Sequence, residues 1–184
     1  EKAPGTPSDK AVSGYADGKG VRANYREITR FTNKFNPNNH AEVVEVTYNK
    51  NLISFEDLMI HYLESHDPTQ LNRQGNDIGT QYRSIILFSN TAQKEKITQL
   101  LTEYQSLLSK EGYGAIQTVV KPLTKFYEAE NYHQDYIKKN PNGYCPDHST
   151  GVRFARTDSV KDFDNSILKE GKNIVVIEPE GYCP

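Results

Sequence analysis

Apolar residues recur with two different periods along this chain, and the alternation of those periods constrains its fold more than any other feature. Residues 40–48 alternate between apolar and polar side chains, a period of two that is typical of a strand with one buried face. Short apolar runs predict four further strands, at residues 11–15, 84–88, 116–120 and 173–177.

Two segments between these strands have the period of a helix. Ser54 and Asp57 form a capping-box-like start, and apolar residues follow at helical spacing until the chain reaches Pro68. A second helical pattern covers residues 97–108 and stops near Gly112. Strands and helices that alternate with short connections predict an α/β or α+β fold, a two-layer sandwich with helices packed on a mixed sheet.

Composition excludes several classes of protein. A length of 184 residues fits one domain, or one domain with a tail, and a formal net charge of -2 argues against a generally basic nucleic-acid or membrane-surface protein. No apolar run is long enough to span a membrane, and residues 1–10 lack the apolar stretch of a signal peptide, which favours the cytoplasm without fixing the compartment. Two cysteines without a CxxC or Cys/His cluster predict neither a disulfide framework nor a metal site.

The most informative segment is the polar connection at residues 67–83. It joins a helix to a strand, it is rich in side-chain amides, and Gly75 and Gly79 allow tight turns. A solvated connection would be the ordinary interpretation, but long ordered loops are disproportionately functional. Tyr82, at the junction with the strand, is placed to point a phenol into a cleft.

Four segments, quoted in order, carry a resemblance to a known family. They are the Gly-Tyr-Ala turn at 14–16, His-Ala-Glu-Val-Val at 40–44, the segment 66–84 with Gly-Asn-Asp and Thr-Gln-Tyr-Arg, and 126–136 running on to Asn-Pro-Asn-Gly-Tyr-Cys at 140–145. Together they resemble the peptide methionine sulfoxide reductases of the A type over roughly residues 11–151.

The resemblance implies an enzyme, a peptide-methionine (S)-S-oxide reductase. Family members reduce the S epimer of methionine sulfoxide, free or in proteins, and so repair damage from oxidative stress. A cysteine thiolate becomes a sulfenic acid, a resolving cysteine forms a disulfide, and thioredoxin reduces that disulfide. The family implies a ferredoxin-like two-layer fold, no metal or organic cofactor, and thioredoxin and oxidised proteins as partners; we expect a monomer.

The motifs also imply roles for individual residues. Glu42 would be the general acid, Tyr25 and Tyr82 would hold the sulfoxide oxygen, Asp77 would shape the pocket, and Cys145 would be the resolving cysteine. Each has an ordinary alternative, since Glu42 could be a strand-start carboxylate and the tyrosines could be packing residues. Tyr25 follows the motif less securely, because the loop at 28–39 is longer than the family's usual form.

His133 also matches a family motif, in a segment near the substrate-binding site. On a predicted helix among aromatic residues, it is equally interpreted as a packing residue.

The chain departs from the family in one respect. The family's nucleophile lies in a Gly-Cys-Phe-Trp motif, whereas this sequence has no such motif, no Trp and no cysteine before Cys145. We therefore expect residues 1–151 to form a reductase domain without its first strand and nucleophile segment. Residues 152–184 would be an extension with one strand.

Two hypotheses remain open. The extension could fill the vacant strand position and present Cys183 to the site, or Cys183 could be a spare or inert thiol. Likewise the chain could be a non-catalytic family member that binds methionine sulfoxide or a redox partner without turnover.

Overall fold

A computed structural model describes residues 11–48, 54–142, 148–155 and 173–177. The strands are β1 (Ala11–Ala16), β2 (Ala41–Tyr48), β3 (Arg73–Gln74), β4 (Asp77–Ile78), β5 (Ile85–Phe88), β6 (Val119–Pro122), β7 (Phe126–Glu128) and β8 (Asn173–Ile177). The helices are α1 (Tyr25–Ile28), α2 (Phe55–Ser65), α3 (Thr91–Lys110) and α4 (Tyr136–Lys139). Single 3₁₀ turns cover Phe31–Asn33, Thr80–Tyr82 and Asn131–His133.

Six of the strands form one mixed sheet in the order β6-β5-β8-β2-β1-β7. Strands β5 and β6 are parallel, while the other neighbours are antiparallel. Strand β8 thus lies at the centre of the sheet, where Ile177 is opposite both Val44 of β2 and Ile86 of β5. This position agrees with the hypothesis that the C-terminal segment supplies a strand to the sheet.

Helices α2 and α3 cover one face of the sheet, and their apolar residues form the main core. Val46 and Ile86 of the sheet join the same buried cluster as Leu63, Leu100 and other helix residues. Because side chains alternate along a strand, Val43 and Ile85 belong to a separate cluster on the opposite face. The fold is therefore the expected α+β sandwich, with helices on one side of a mixed sheet.

Helix α2 begins as its sequence predicts. The Ser54 hydroxyl accepts a hydrogen bond from the Asp57 amide at 3.0 Å and donates one to the Asp57 carboxylate at 2.7 Å. Helix α3 begins earlier than the apolar pattern indicates, at Thr91, because the Asn90 side chain accepts from the Gln93 amide at 2.9 Å.

Two local predictions differ from the structure. The strand predicted at 116–120 begins only at Val119, because the amides of Ile116 and Gln117 donate to the Gln105 side chain and to the Pro68 carbonyl instead of to a neighbouring strand. His133 lies on a single 3₁₀ turn, not on a longer helix as its aromatic surroundings had indicated.

Candidate active site

Glu42 lies at the start of β2, where its side chain is fully buried. Strand pairing places it directly opposite Tyr15 of β1, another fully buried residue. Within the described parts of the chain, neither carboxyl oxygen of Glu42 has a hydrogen-bond partner. A buried carboxyl group without partners is unfavourable for folding, so its retention indicates a role in binding or chemistry.

Burial is the main reason that the pKa of Glu42 is raised well above the ordinary value for glutamate. The negative charges of Asp77 and Glu130 raise this pKa further. The carboxyl group is therefore held in its protonated form at higher pH than an exposed glutamate, which is the form that can donate a proton.

Asp77 and Tyr82 reach Glu42 from the long connection between α2 and β5. A two-residue turn at Gly75 and Asn76 joins β3 to β4, and Gly75 has a φ of 56°, which favours glycine. This small hairpin carries Asp77, and the following 3₁₀ turn carries Tyr82.

The electrostatics of these two residues agree with a shared site. Burial raises the pKa of Asp77, while His148, whose Nε2 lies 4.0 Å from its carboxylate, acts in the opposite direction. Burial also raises the pKa of the Tyr82 phenol, followed by the charges of Glu42 and Asp77. A phenol with a raised pKa keeps its proton and remains a hydrogen-bond donor.

Tyr25 reaches the same site from the first residue of α1. Asn24 caps this short helix, since its side chain accepts from the Glu27 amide at 3.0 Å. Burial raises the pKa of the Tyr25 phenol, and Glu42 is the next largest cause. The structure thus brings Glu42, Tyr82, Asp77 and Tyr25 together from three separate segments, namely β2, α1 and the connection between α2 and β5.

His133 packs beside this group and is itself buried. Its ring centre lies 4.8 Å from the Tyr25 ring and 4.2 Å from the Tyr132 ring. Burial lowers the pKa of His133, although Glu130 acts against the shift. A neutral histidine that supports the Tyr25 ring fits both interpretations of this residue, as a packing residue and as part of the substrate pocket.

Glu130 is a residue of the site that sequence analysis did not predict. The Tyr15 phenol donates to its Oε2 at 2.6 Å, and the Tyr25 amide donates to its Oε1 at 2.9 Å. The only sequence signal was its place in the motif at 126–136, because a hydrogen bond between residues more than 100 positions apart has no local pattern.

Both cysteines lie outside the described residues, so the roles of Cys145 and Cys183 remain predictions. What the structure does describe is the strand that precedes Cys183. Ile177, the last residue of β8, is opposite Val44, which is two residues along β2 from Glu42. Strand β8 therefore ends on the side of the sheet that carries the candidate site.

Among the described residues, no group of three or more His, Cys, Asp and Glu side chains could hold a metal ion. Across the same part of the chain, no helix is both long and apolar enough to cross a membrane. The site combines a buried carboxyl group whose pKa is raised, two phenols and an aspartate. Such a set can donate hydrogen bonds and a proton to an oxygen that gains negative charge.

Known proteins resemble this chain closely in sequence. A family model described as peptide methionine sulfoxide reductase matches residues 6–162. Peptide methionine sulfoxide reductase MsrA from Nautilia profundicola is 49% identical over 136 residues, which are 73% of this chain and 72% of that protein. The MsrA of Corynebacterium efficiens is 43% identical over 141 residues, 76% of this chain and 63% of that protein. The mitochondrial peptide methionine sulfoxide reductase of Rattus norvegicus is 45% identical over 139 residues, 76% of this chain and 58% of that protein.

Solved structures give the same result. Methionine sulfoxide reductase A of Corynebacterium diphtheriae has a TM-score of 0.66 and 39% identity, covering 77% of this chain and 68% of that one. Mxr1 from Saccharomyces cerevisiae in reduced form has a TM-score of 0.65 and 34% identity, covering 78% of this chain and 77% of that one. The chain spans less than two thirds of the C. efficiens and rat relatives. With its fold, its motifs and these relatives in agreement, the chain belongs to the peptide methionine sulfoxide reductase A family of oxidoreductases.

Proposed function

We propose that this protein reduces the S epimer of methionine sulfoxide, free or in proteins, to methionine with electrons from thiols. The observation that carries the proposal is the Glu42 carboxyl group, fully buried and without a hydrogen-bond partner in the described structure, beside the phenols of Tyr25 and Tyr82. A sulfoxide oxygen is a strong acceptor that would satisfy all three donors at once.

The proposed reaction transfers oxygen from sulfur to sulfur. A cysteine thiolate attacks the sulfoxide sulfur while the sulfoxide oxygen takes up a proton, and the oxygen then passes from one sulfur to the other. The cysteine S–O bond forms as the methionine S–O bond and the transient S–S bond break, which gives a cysteine sulfenic acid and methionine. Attack by a second thiol on the sulfenic acid then forms a disulfide and releases water. A dithiol finally reduces this disulfide by exchange, so one turnover consumes two electrons.

Each site residue has a distinct part in this proposal. Glu42 donates the proton that the sulfoxide oxygen needs as negative charge develops on it. The phenols of Tyr25 and Tyr82 donate hydrogen bonds to the same oxygen and so stabilise that charge. Asp77 shapes the pocket from the β3–β4 hairpin, and His133 supports the ring of Tyr25.

The thiols have to come from Cys145 and Cys183 if this chain turns over unaided, because the sequence contains no other cysteine. We propose Cys183 as the attacking thiol and Cys145 as the resolving one. The end of β8 opposite Val44 supports this assignment, since the strand ends two residues along β2 from Glu42 and six residues before Cys183. The resulting disulfide would be a substrate for thioredoxin, the reductant that the family implies. We further propose that the protein works as a monomer.

The test is to incubate the 184-residue chain with the S epimer of methionine sulfoxide and dithiothreitol and to measure the methionine released. Turnover that C183S abolishes would support the assignment. With C145S, turnover should continue under dithiothreitol but fail with thioredoxin as the reductant, because dithiothreitol can reduce the sulfenic acid directly. Turnover that survives C183S would overturn the role of Cys183.

If no methionine forms, binding of the substrate decides whether the chain is a binding protein without turnover. Isothermal titration that detects methionine sulfoxide but not methionine would identify a binding protein without turnover. Absence of both turnover and binding would overturn the proposed function. The E42Q variant is the control, since loss of binding in that variant would locate the ligand at the buried carboxyl group.

A further inference from the structure

One carboxylate, that of Glu130, is not among the predicted catalytic residues but binds two segments that form the site, β1 and α1. Glu130 follows β7, and its two oxygens accept from the Tyr15 phenol at 2.6 Å and from the Tyr25 amide at 2.9 Å. Tyr15 is the cross-strand partner of Glu42, and Tyr25 carries one of the two site phenols. Glu130 therefore connects the strand pair that holds the acid with the helix that holds an oxygen-binding group.

We propose that Glu130 is a positioning residue: its hydrogen bonds fix the start of α1, and therefore Tyr25, and hold its carboxylate on Tyr15, the cross-strand partner of Glu42, so that it adds negative charge to the surroundings of Glu42. This inference rests on the proposed function, because a protonated Glu42 matters only if it donates its proton to a bound oxygen.

The protonation states of the two carboxyl groups are set in opposite directions. Burial by itself would raise the pKa of Glu130, but the hydrogen bonds from Tyr15 and from the Tyr25 amide outweigh it and lower the pKa below its usual value. The pKa of Glu42 is raised by burial and then by Asp77 and Glu130. Two neighbouring carboxyl groups whose environments differ in this way divide into one anion and one acid.

The other groups around this pair leave that division in place. Asp77, Tyr25 and Tyr82 interact with Glu42, and none of these three groups carries a positive charge in either protonation state. Glu130 also interacts with Tyr132 and His133. Since burial lowers the pKa of His133, this ring does not neutralise the carboxylate of Glu130 at neutral pH or above.

The test reads the protonation of Glu42 directly and without turnover. The side-chain carboxyl carbons of glutamate are labelled with ¹³C, the NMR signal of Glu42 is assigned from its absence in E42Q, and its chemical shift is followed with pH. In the wild-type protein we expect this signal to titrate at higher pH than the signals of exposed glutamates.

Three variants separate the charge of Glu130 from its hydrogen bonds. Glu130→Gln removes the charge and one acceptor, so the Glu42 signal should titrate at clearly lower pH. Tyr15→Phe removes the hydrogen bond to Oε2 of Glu130 but leaves the charge. Glu130→Asp keeps the charge on a shorter side chain. In both variants Glu42 should therefore retain most of its wild-type titration. An unchanged titration in Glu130→Gln, or the same shift in all three variants, would overturn the proposal.

Activity gives a second measurement. If the chain reduces methionine sulfoxide, Glu130→Gln should lower kcat/KM roughly tenfold on the alkaline side and move the alkaline limb of the pH profile to lower pH. Glu130→Asp should restore that limb, which a merely structural role would not predict. A chain without turnover in which Glu42 still titrates as expected would contradict the proposed function but leave the electrostatic role of Glu130 in place. If Glu130→Gln does not fold, a large fall of the Glu42 titration in Glu130→Asp or Tyr15→Phe, which both keep the charge, would still overturn the proposal.

Discussion

Two buried polar clusters in this molecule contain similar groups, but only in one of them do all the groups form hydrogen bonds. In the first, Nδ1 of His66 donates to the Tyr62 carbonyl at 2.9 Å, and its Nε2 accepts from the Ser84 hydroxyl at 2.7 Å. The Tyr62 hydroxyl lies within 3.2 Å of both the amide and the carbonyl of Ile85, and the Ser84 hydroxyl is 2.8 Å from that of Thr118. Every one of these polar groups has a partner, so the cluster joins α2 to β5 and β6 and needs no ligand.

The second cluster surrounds Glu42, and its central carboxyl group has no such partner within the described structure. An unsatisfied buried polar group costs about 1–3 kcal/mol, which is a large part of a domain's net stability. Burial alone therefore does not identify a functional residue. A buried group whose hydrogen bonds are all made stabilises the fold, whereas one whose hydrogen bonds are missing is available to a substrate.

The largest effect that would test this comparison is on catalysis. Glu42→Gln should reduce methionine production at least about 100-fold, because an amide cannot replace the acid. Its midpoint of urea denaturation should not fall, since the carboxyl group makes no hydrogen bond with the described protein. Glu45→Gln, on the opposite face of the same strand, is the control and should keep its activity. A clear loss of stability in Glu42→Gln would show that Glu42 belongs with the structural cluster.

Removal of one phenol should have the next largest effect. Tyr82→Phe should lower kcat roughly 100-fold, because one hydrogen bond to the developing negative charge is lost while the ring remains. Tyr127→Phe, a tyrosine of β7 that interacts with His40 and Lys125, serves as the control. Equal activity of both variants in the methionine assay would remove Tyr82 from the site.

The raised pKa of Glu42 also predicts how stability depends on pH. Unfolding exposes Glu42, whose pKa then returns to its ordinary value of 4.5, so the unfolded chain binds fewer protons than the folded protein above that pH. Glu42 therefore lowers the stability of the wild-type protein progressively as pH rises from 4.5 towards the raised pKa. Urea denaturation at a series of pH values should show this decline in the wild type and a smaller one in Glu42→Gln. Parallel curves for the two proteins would contradict the prediction.

The structural cluster should give the smallest effect on activity and a moderate effect on stability. Tyr62→Phe leaves the Ile85 amide and carbonyl without their hydroxyl partner and should cost about 1–3 kcal/mol of unfolding free energy. Its kcat should stay within a factor of about two at a temperature where the protein is folded. A large loss of kcat in a folded Tyr62→Phe protein would contradict the structural role of this cluster.

The sequence predicts those features that depend on neighbouring residues. Alternation in residues 40–48 identified β2, and Ser54 marked the start of α2, because strand faces and helix caps involve side chains only a few positions apart. Where a distant residue binds the backbone groups of a predicted strand, the predicted start of that strand was wrong. Ile116 and Gln117 bind Gln105 and Pro68, and the strand therefore begins at Val119.

Motifs predict which residues would form the site but not their state. Glu42, Tyr82 and Asp77 stand in the segments that resemble the family's, so the sequence alone predicts which groups are candidates for the chemistry. The folded structure was needed to show that Glu42 is buried without a hydrogen-bond partner among the described residues and that the charge of Glu130 acts on it, since burial and charge depend on residues from distant segments. The protonation of an acid is a property of its surroundings, and those surroundings exist only after the chain has folded.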